Sequence, residues 1–299
     1  MSLPTTINQY LDQLRRELAG ADPALLQDAL YDAEEYLRSE LAAHPRDGEE
    51  ALLARIASSY GRPSEVADIY RDTEVTVSRA LRPPPPKPRE SSLGRFFGIV
   101  SDPRAYAAVL YMLLAGVTGA LYFTWAITGL AMSAALSLTI IGVVFFILFM
   151  ATVRVISLVE GRVVEVMLGE RMPRRPAYPA AASGILDRIG QLFTDPRTWG
   201  TLIYLMLMLP LGLAYFSVAV ILLAAGITLA GTPLAALFSA GTVMLGPFSG
   251  AELGLLAVPV YAVISAFGVL LLFVLLHLGR GVAYLHGAIA KHLLVKWGD

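Results

Sequence analysis

Two long stretches without a charged side chain constrain this protein more than any other feature of its sequence. The first stretch, Ala105–Val153, has 49 residues, and the second, Thr198–Ala251, has 54. After Glu252, another 27 uncharged residues follow, Leu253–Gly279. A bilayer core about 30 Å thick needs about 20 helical residues to cross. The first stretch therefore predicts two spans with a turn near residues 133–137, and the rest allows two spans or three.

The basic residues decide between four spans and five, because Lys and Arg collect in cytoplasmic loops. The turn near 133–137 and the stretch 225–253 contain neither residue type. We therefore predict four spans, with both termini in the cytoplasm. The spans are expected at about 105–130, 134–153, 198–224 and 254–278. The flanking basic residues are Lys87, Arg89, Arg95, Arg154, Arg162, Arg171, Arg174, Arg175, Arg188, Arg197, Arg280, Lys291 and Lys296.

The two halves of the apolar region repeat each other. SDPRAYAAVLYMLLAGVTGALYF (101–123) aligns with TDPRTWGTLIYLMLMLPLGLAYF (194–216) at an offset of 93. SLVEGRVVEVML (157–168) resembles AYLHGAIAKHLL (283–294) at an offset of 126, so the second half has gained 33 residues at or beside its outer loop. Both halves begin on the same side, which predicts two parallel two-span repeats. Each repeat is expected to end in an interfacial helix on the cytoplasmic surface.

Two sets of recurring residues are candidates for a site or an interface. Asp-Pro starts each copy as a helix cap, and the Arg that follows can reach lipid phosphates. We favour this interpretation over an Asp–Arg pair that binds a ligand head group, which stays open. These candidate lipid and head-group contacts are Asp102, Arg104, Asp195 and Arg197.

The second set shares one helix face, because 11 residues make close to three helical turns. Glycine allows close helix approach, and tyrosine hydroxyls find polar partners. We interpret this face as the surface that packs the two repeats together. It consists of Tyr111, Gly119, Tyr122, Tyr204, Gly212 and Tyr215.

Residues 1–80 have a different character, with 15 acidic and 8 basic side chains. Their apolar spacing predicts a small cytoplasmic bundle of four helices, with starts at Asp22-Pro23 and Pro63 and a helix end at Gly61. The second helix is strongly acidic, and a solvated face is favoured over one that docks a basic partner. The candidate docking residues are Asp28, Asp32 and Glu35.

The segment RPPPPKPRE (82–90) predicts a semi-rigid polyproline II spacer. We therefore divide the chain into a head (1–80), a linker (81–92), a first membrane repeat (93–175) and a second (176–299). The second repeat carries an outer insertion, 231–253, and a C-terminal interfacial helix. No signal peptide is expected ahead of the head, because the first long apolar run begins near residue 105.

Several function classes find no support in the sequence. There is no cysteine, which excludes disulfides, thiolate catalysis and cysteine-ligated metals. His277, His286 and His292 lack the i, i+4 spacing of a metal pair, and hydrolase and P-loop motifs are absent. Glu160 and Glu165 are interpreted as interfacial salt-bridging residues. The acidic head argues against direct nucleic-acid binding, and we expect neither enzymatic activity nor a cofactor.

The head contains YLDQLRREL, an acidic second helix and YGRPSEVADIY. In these features it resembles the HAAS family of alpha-helical, membrane-associated signalling domains. The family's Gly-x-Pro-x-x-(apolar)-Ala turn and helix is matched by Gly61, Pro63, Val66 and Ala67.

The apolar region resembles the bacterial "putative sensor" domain found at the N-terminus of some histidine kinases. Tyr106 and Val117 of the first copy depart from that family's pattern, which the second copy keeps with Trp199 and Pro210. The matching residues are Asp195, Pro196, Trp199, Tyr204, Pro210, Gly212, Tyr215 and Phe216.

Together these resemblances imply an all-α, non-enzymatic sensor in the bacterial cytoplasmic membrane. It would detect a lipid, a lipophilic compound or a membrane protein, and the head would report to a cytoplasmic regulator or kinase. Membrane lipids are further expected partners, and homo-oligomer formation is left open. A subunit of a transport complex is the alternative, since parallel repeats occur in transporters. The spans, however, lack an ionisable group away from their ends.

Overall fold

The computed structural model describes residues 4–44, 48–81, 92–173, 196–238, 244–245, 248–249 and 254–295. Within these ranges the chain is almost entirely helical, which confirms the predicted all-α class. The exception is a pair of two-residue antiparallel strands, β1 (Met244–Leu245) and β2 (Phe248–Ser249). Both strands fall in the predicted outer insertion, 231–253.

The head contains four helices: α1 (Ile7–Glu17), α2 (Pro23–Ala43), α3 (Glu49–Ile56) and α4 (Pro63–Leu81). The predicted start of α2 is present, because the Asp22 side chain accepts a hydrogen bond from the Ala24 N–H at 2.9 Å. Gly61 has a φ of +105°, a conformation that favours glycine, and it precedes α4.

Apolar side chains from all four helices form the head core, and tyrosine hydroxyls complete it. The Tyr10 hydroxyl donates to the Gly61 carbonyl at 2.9 Å, and Tyr70 donates to Asp32 at 2.9 Å. Stacking of the Tyr36 and Tyr60 rings adds a contact with centroids 4.4 Å apart. The fully buried core residues include Ile7, Leu14, Leu18, Leu37, Leu52 and Ile56.

Four later helices are long and apolar enough to cross a membrane, which agrees with the predicted number. The most apolar 18-residue segment of each helix has a mean hydropathy of 1.7 to 2.5, yet only 17–28% of that segment is buried inside the protein. Apolar helices with so much exposed surface fit a lipid environment. They are α6 (Pro103–Leu136), α7 (Ile140–Leu168), α8 (Pro196–Ala230) and α10 (Ala257–Leu294).

Short elements accompany the long helices. The six-residue helix α5 (Ser92–Phe97) and a 3-10 turn (Gly98–Ser101) precede α6. Another short helix, α9 (Thr232–Phe238), follows α8, and a 3-10 turn (Gly254–Leu256) leads into α10.

The segments 157–168 and 283–294 are not separate interfacial helices, contrary to our expectation. α7 and α10 continue through them without a break. Each segment keeps a buried face at helical spacing, and this continued packing explains why the helices extend. The buried residues are Glu160, Val164 and Leu168 in α7, and His286, Ala290 and Leu294 in α10.

The chain forms two compact units, and the boundaries between them fall inside α6, α8 and α10. One unit contains the head, α6 from Ala126, α7, α8 as far as Tyr204, and the end of α10 from Ala288. The other contains α5, α6 as far as Trp125, α8 from Leu205, and α10 as far as Gly287.

In the second unit, α6 and α8 approach each other closely at two glycines. A Cβ atom on Gly119 would overlap the Met208 carbonyl, and one on Gly212 would overlap the Ala115 carbonyl. The structure buries five members of the predicted packing face, and it half-buries Tyr122. The backbones therefore meet at a distance that only glycine permits at these positions.

We predict that Gly119→Ala destabilises the protein by about 2 kcal/mol or more, because the added methyl forces the two backbones apart. Gly281→Ala in α10 is the matched control, since no atom lies within 4 Å of the added Cβ. Thermal unfolding of both variants in the same detergent measures the difference. Equal melting temperatures would contradict the close crossing.

Burial raises the pKa of Tyr60 to about 12, with further contributions from the Asp32 carboxylate and from Tyr36. Burial also raises the pKa values of Tyr10 and Tyr70. Since an unfolded tyrosine titrates near 10, the stability that neutral Tyr60 contributes is complete below pH 10 and is lost towards pH 12.

We predict that the difference in tyrosinate absorbance between the wild type and Tyr60→Phe has its midpoint near pH 12. In denaturant the same difference curve is expected to return to a midpoint near 10. A native midpoint near 10 would show that the Tyr60 hydroxyl is solvated.

Candidate functional site

A short arm extends from the C-terminal end of α7. Gly169 ends the helix with a φ of +78°, and its N–H donates to the Glu165 carbonyl at 3.2 Å. Met172 is fully buried and packs against Gly161. The Arg162 guanidinium donates to the Pro173 carbonyl at 3.1 Å. We call residues 169–173 the arm; these contacts hold it against its own helix.

The arm places the guanidinium of Arg171 against the head. One Nη atom contacts the Glu74 carboxylate of α4, and the other lies 3.5 Å from the Asp28 carboxylate of α2. The Arg171 side chain is only 13% exposed, and that of Asp28 only 7%. We call the pair of carboxylates, Asp28 and Glu74, the head cleft.

Burial makes this contact more consequential than an ordinary surface ion pair. Exposed pairs contribute about 0–1 kcal/mol. Removing one partner of a buried pair costs about 3–5 kcal/mol, because the other charge stays buried without compensation. Arg171 therefore links the end of α7 to two helices of the head, and the head cleft depends on a cation.

A second ion pair joins the head to the end of α10. Lys291 contacts the Asp22 carboxylate, which also caps α2. Both side chains are partly exposed, so this pair is the weaker of the two connections. Helix α2 thus contacts both the arm after α7 and the last turn of α10.

Glu160 is buried in the first unit, 1% exposed, and accepts a hydrogen bond from the Tyr204 hydroxyl at 2.8 Å. Glu160 therefore does not lie on an exposed surface of the helix, which corrects that part of its interpretation as an interfacial residue. Its side chain faces the packed side of α7, where α8 supplies a hydroxyl donor. Glu165 does form an ion pair, with Arg162.

A related contact lies in the second unit. The Tyr111 hydroxyl and His286 Nε2 are 2.6 Å apart, and His286 is 0% exposed. The Tyr215 ring packs edge-on against His286, with centroids 5.7 Å apart. Sequence reasoning had given His286 no role.

The alignment of the two halves contained a signal for both pairs. Tyr204 lies 93 positions after Tyr111, and His286 lies 126 positions after Glu160. These are the two offsets at which the halves align. In each pair, a tyrosine from one half contacts the second long helix of the other half.

The predicted lipid contacts are only partly within the described residues. Asp102 accepts a hydrogen bond from the Arg104 N–H at 3.1 Å and lies 3.1 Å from Arg280, so it starts α6 and forms an ion pair. Arg104 is half-buried. Asp195 and the side chain of Arg197 lie outside the described residues. Lipid contact stays a prediction for all four.

The three candidate docking residues of α2 have different surroundings. Asp28 belongs to the head cleft, and Asp32 accepts the hydrogen bond from Tyr70. Glu35 is exposed. The basic group that Asp28 contacts is Arg171 of the same chain. In the ranges that the structure covers, no three His, Asp or Glu side chains are grouped to hold a metal ion.

By length and composition, the four apolar helices define a multi-pass membrane protein. A family model described as "Putative sensor" matches residues 111–294, which is more than half of the chain. The chain therefore belongs to this sensor family, and its four apolar helices fit a membrane sensor. No curated protein and no solved structure matches it. The matched range contains the arm, whereas the head lies outside it.

We predict that Tyr204→Phe destabilises the protein by about 1–3 kcal/mol, because the buried Glu160 loses a hydrogen-bond donor. Glu160→Leu removes the acceptor, and the double variant is expected to cost less than the sum of the two single variants. Tyr284→Phe is the control, since Tyr284 is exposed on α10. Unfolding of all four variants in one detergent gives the coupling energy. Strict additivity would contradict the hydrogen bond.

Proposed function

We propose that this protein is a non-enzymatic signalling adaptor of the bacterial cytoplasmic membrane. Its four long helices would detect a cue in the bilayer, and its head, with both termini in the cytoplasm, would report to a soluble regulator or kinase. The observation that carries this proposal is the contact of Arg171 with Asp28 and Glu74. It joins the arm after α7 to the domain that would deliver the signal.

The geometry offers a route by which a change in the membrane would reach the head. Tyr204 connects α8 to α7 through Glu160, close to the arm. The arm is fixed to α7 through Met172 and Arg162. A shift of α7 relative to α8 would therefore move the arm with the helix. Because Arg171 bridges α2 and α4, that movement would act on two helices of the head.

The repeat hypothesis extends this route to both halves. Equivalent tyrosines contact equivalent positions of α7 and α10. A cation at or beyond the end of each helix also contacts the head, Arg171 in the arm after α7 and Lys291 in the last turn of α10, at positions that are not equivalent in the alignment. The matched tyrosine contacts support two parallel repeats, and both second helices connect to the head.

The head is assigned to the HAAS type on its motif and its packing. Gly61 has the positive φ that the motif's glycine would need, and Pro63 starts α4. Val66 and Ala67, the apolar positions of the motif, lie in the core. A compact acidic domain of this kind suits a binding role and supports the non-enzymatic assignment.

We predict that a change of bilayer alters hydrogen exchange in α2 of the full-length protein in nanodiscs. Lipids that differ in head-group charge and chain length are compared. A lipid composition to which the protein responds should change the protection of the α2 amides by about fivefold or more. This is the usual scale of coupling between two sites. Arg171→Ala should remove this response, while Arg154→Ala, at an exposed position of α7 ahead of the arm, should preserve it.

Two results would contradict the proposal. Unchanged protection of α2 in every bilayer would show that the head does not respond to the membrane. Solute flux into proteoliposomes of the purified protein would favour the alternative, a subunit of a transport complex.

A further inference from the structure

We propose that the head cleft is an arginine-binding site that exists in two states. In the closed state, seen here, it holds Arg171 of the arm. In the open state it would hold an arginine from a basic segment of the partner. This inference rests on the proposed function, because the partner is the regulator to which the head reports.

The chemistry of the head cleft fits a guanidinium group. Two carboxylates from different helices, Asp28 of α2 and Glu74 of α4, approach the two Nη atoms of one side chain. Arginine presents two such donors in a fixed plane, whereas lysine presents a single charged point. Glu74 is 23% exposed, so the cleft opens towards solvent on the α4 side.

Arg171 can leave the head cleft, and another arginine can replace it, without unfolding of the arm or of the head. The arm is held to α7 by Met172 and by the Arg162–Pro173 hydrogen bond, and both contacts are independent of the head. The Arg171 side chain contacts both cleft carboxylates. The additional ion pair, Lys291 with Asp22, is partly exposed and is weakened by salt.

Withdrawal of the arm would remove a cation from a nearly buried carboxylate. Asp28 is nearly buried while Arg171 is present, and a buried charge that loses a cationic partner is costly. A basic segment from a regulator would supply the missing guanidinium. Docking of the arm and binding of the partner are therefore mutually exclusive, so the arm acts as an autoinhibitory ligand.

The test uses the full-length protein in phosphatidylcholine nanodiscs and a fluorescent peptide, GERMPRRP (169–176), that contains the sequence of the arm. The wild type should bind it weakly, because the arm competes. Arg171→Ala should bind it about tenfold more tightly, as removal of an internal competitor requires. Arg154→Ala is the matched control, because Arg154 is an exposed arginine of α7 that lies before the arm.

Specificity is tested on the same Arg171→Ala background. Adding Asp28→Asn or Glu74→Gln should reduce peptide binding to the wild-type level or below. Peptides with citrulline in place of every arginine should not bind, and those with lysine should bind more weakly. Circular dichroism verifies that each variant is folded, and if Asp28→Asn unfolds the head, Glu74→Gln decides.

Equal peptide affinity in the wild type and Arg171→Ala would overturn the inference. So would binding that is insensitive to both cleft substitutions. The result is independent of the bilayer experiment: peptide binding as expected, with no response of α2 to lipids, would retain the cleft and reject the relay. A lipid response without peptide binding would retain the relay and reject the arginine-bearing partner.

Discussion

Polar groups that leave water must find partners inside the protein, and this constraint explains most of the structure. It favours a helical backbone in apolar segments that span a bilayer, which agrees with the four long helices of the described residues. It also governs the few polar side chains that these helices bury. Glu160 and His286 are tolerated because each contacts a tyrosine hydroxyl. The same constraint makes the contact of Arg171 with Asp28 and Glu74 significant, because each buried charge depends on the others.

The contacts of Tyr204 and Tyr111, two residues that align at an offset of 93, differ in chemistry. Where one half has Glu160, the other has His286, so equivalent hydrogen bonds involve a carboxylate and an imidazole. The connections to the head differ as well. Arg171 reaches a nearly buried site, whereas Lys291 forms a partly exposed ion pair. Removal of Arg171 is therefore expected to cost more than removal of Lys291.

Several sequence-based expectations failed for a common reason. The spacing of charged residues placed Glu160 and the ends of α7 and α10 at an interface. In the structure, Glu160 is buried, and both helices continue. The sequence shows which residues are polar, but it does not show which of them are buried. A polar residue can be buried when a neighbouring helix supplies a hydrogen-bond donor, as Tyr204 does for Glu160. Asp28 illustrates the same point: on an acidic helix it looked solvated, yet its partner is 143 residues away in the chain.

The sequence by itself determined the helical class, the number of long apolar helices and the helix starts of the head, because these follow from local rules. The length of an uncharged stretch, an Asp-Pro helix start and the position of a glycine each depend on a few neighbouring residues or on a single span. Only the tertiary structure decided which side chains meet: Tyr204 with Glu160, Tyr111 with His286, and Arg171 with the head cleft. Contacts between residues far apart in the chain depend on how helices cross and where each one ends. In this protein those choices are set by the glycine crossing of α6 and α8 and by Gly169 after α7.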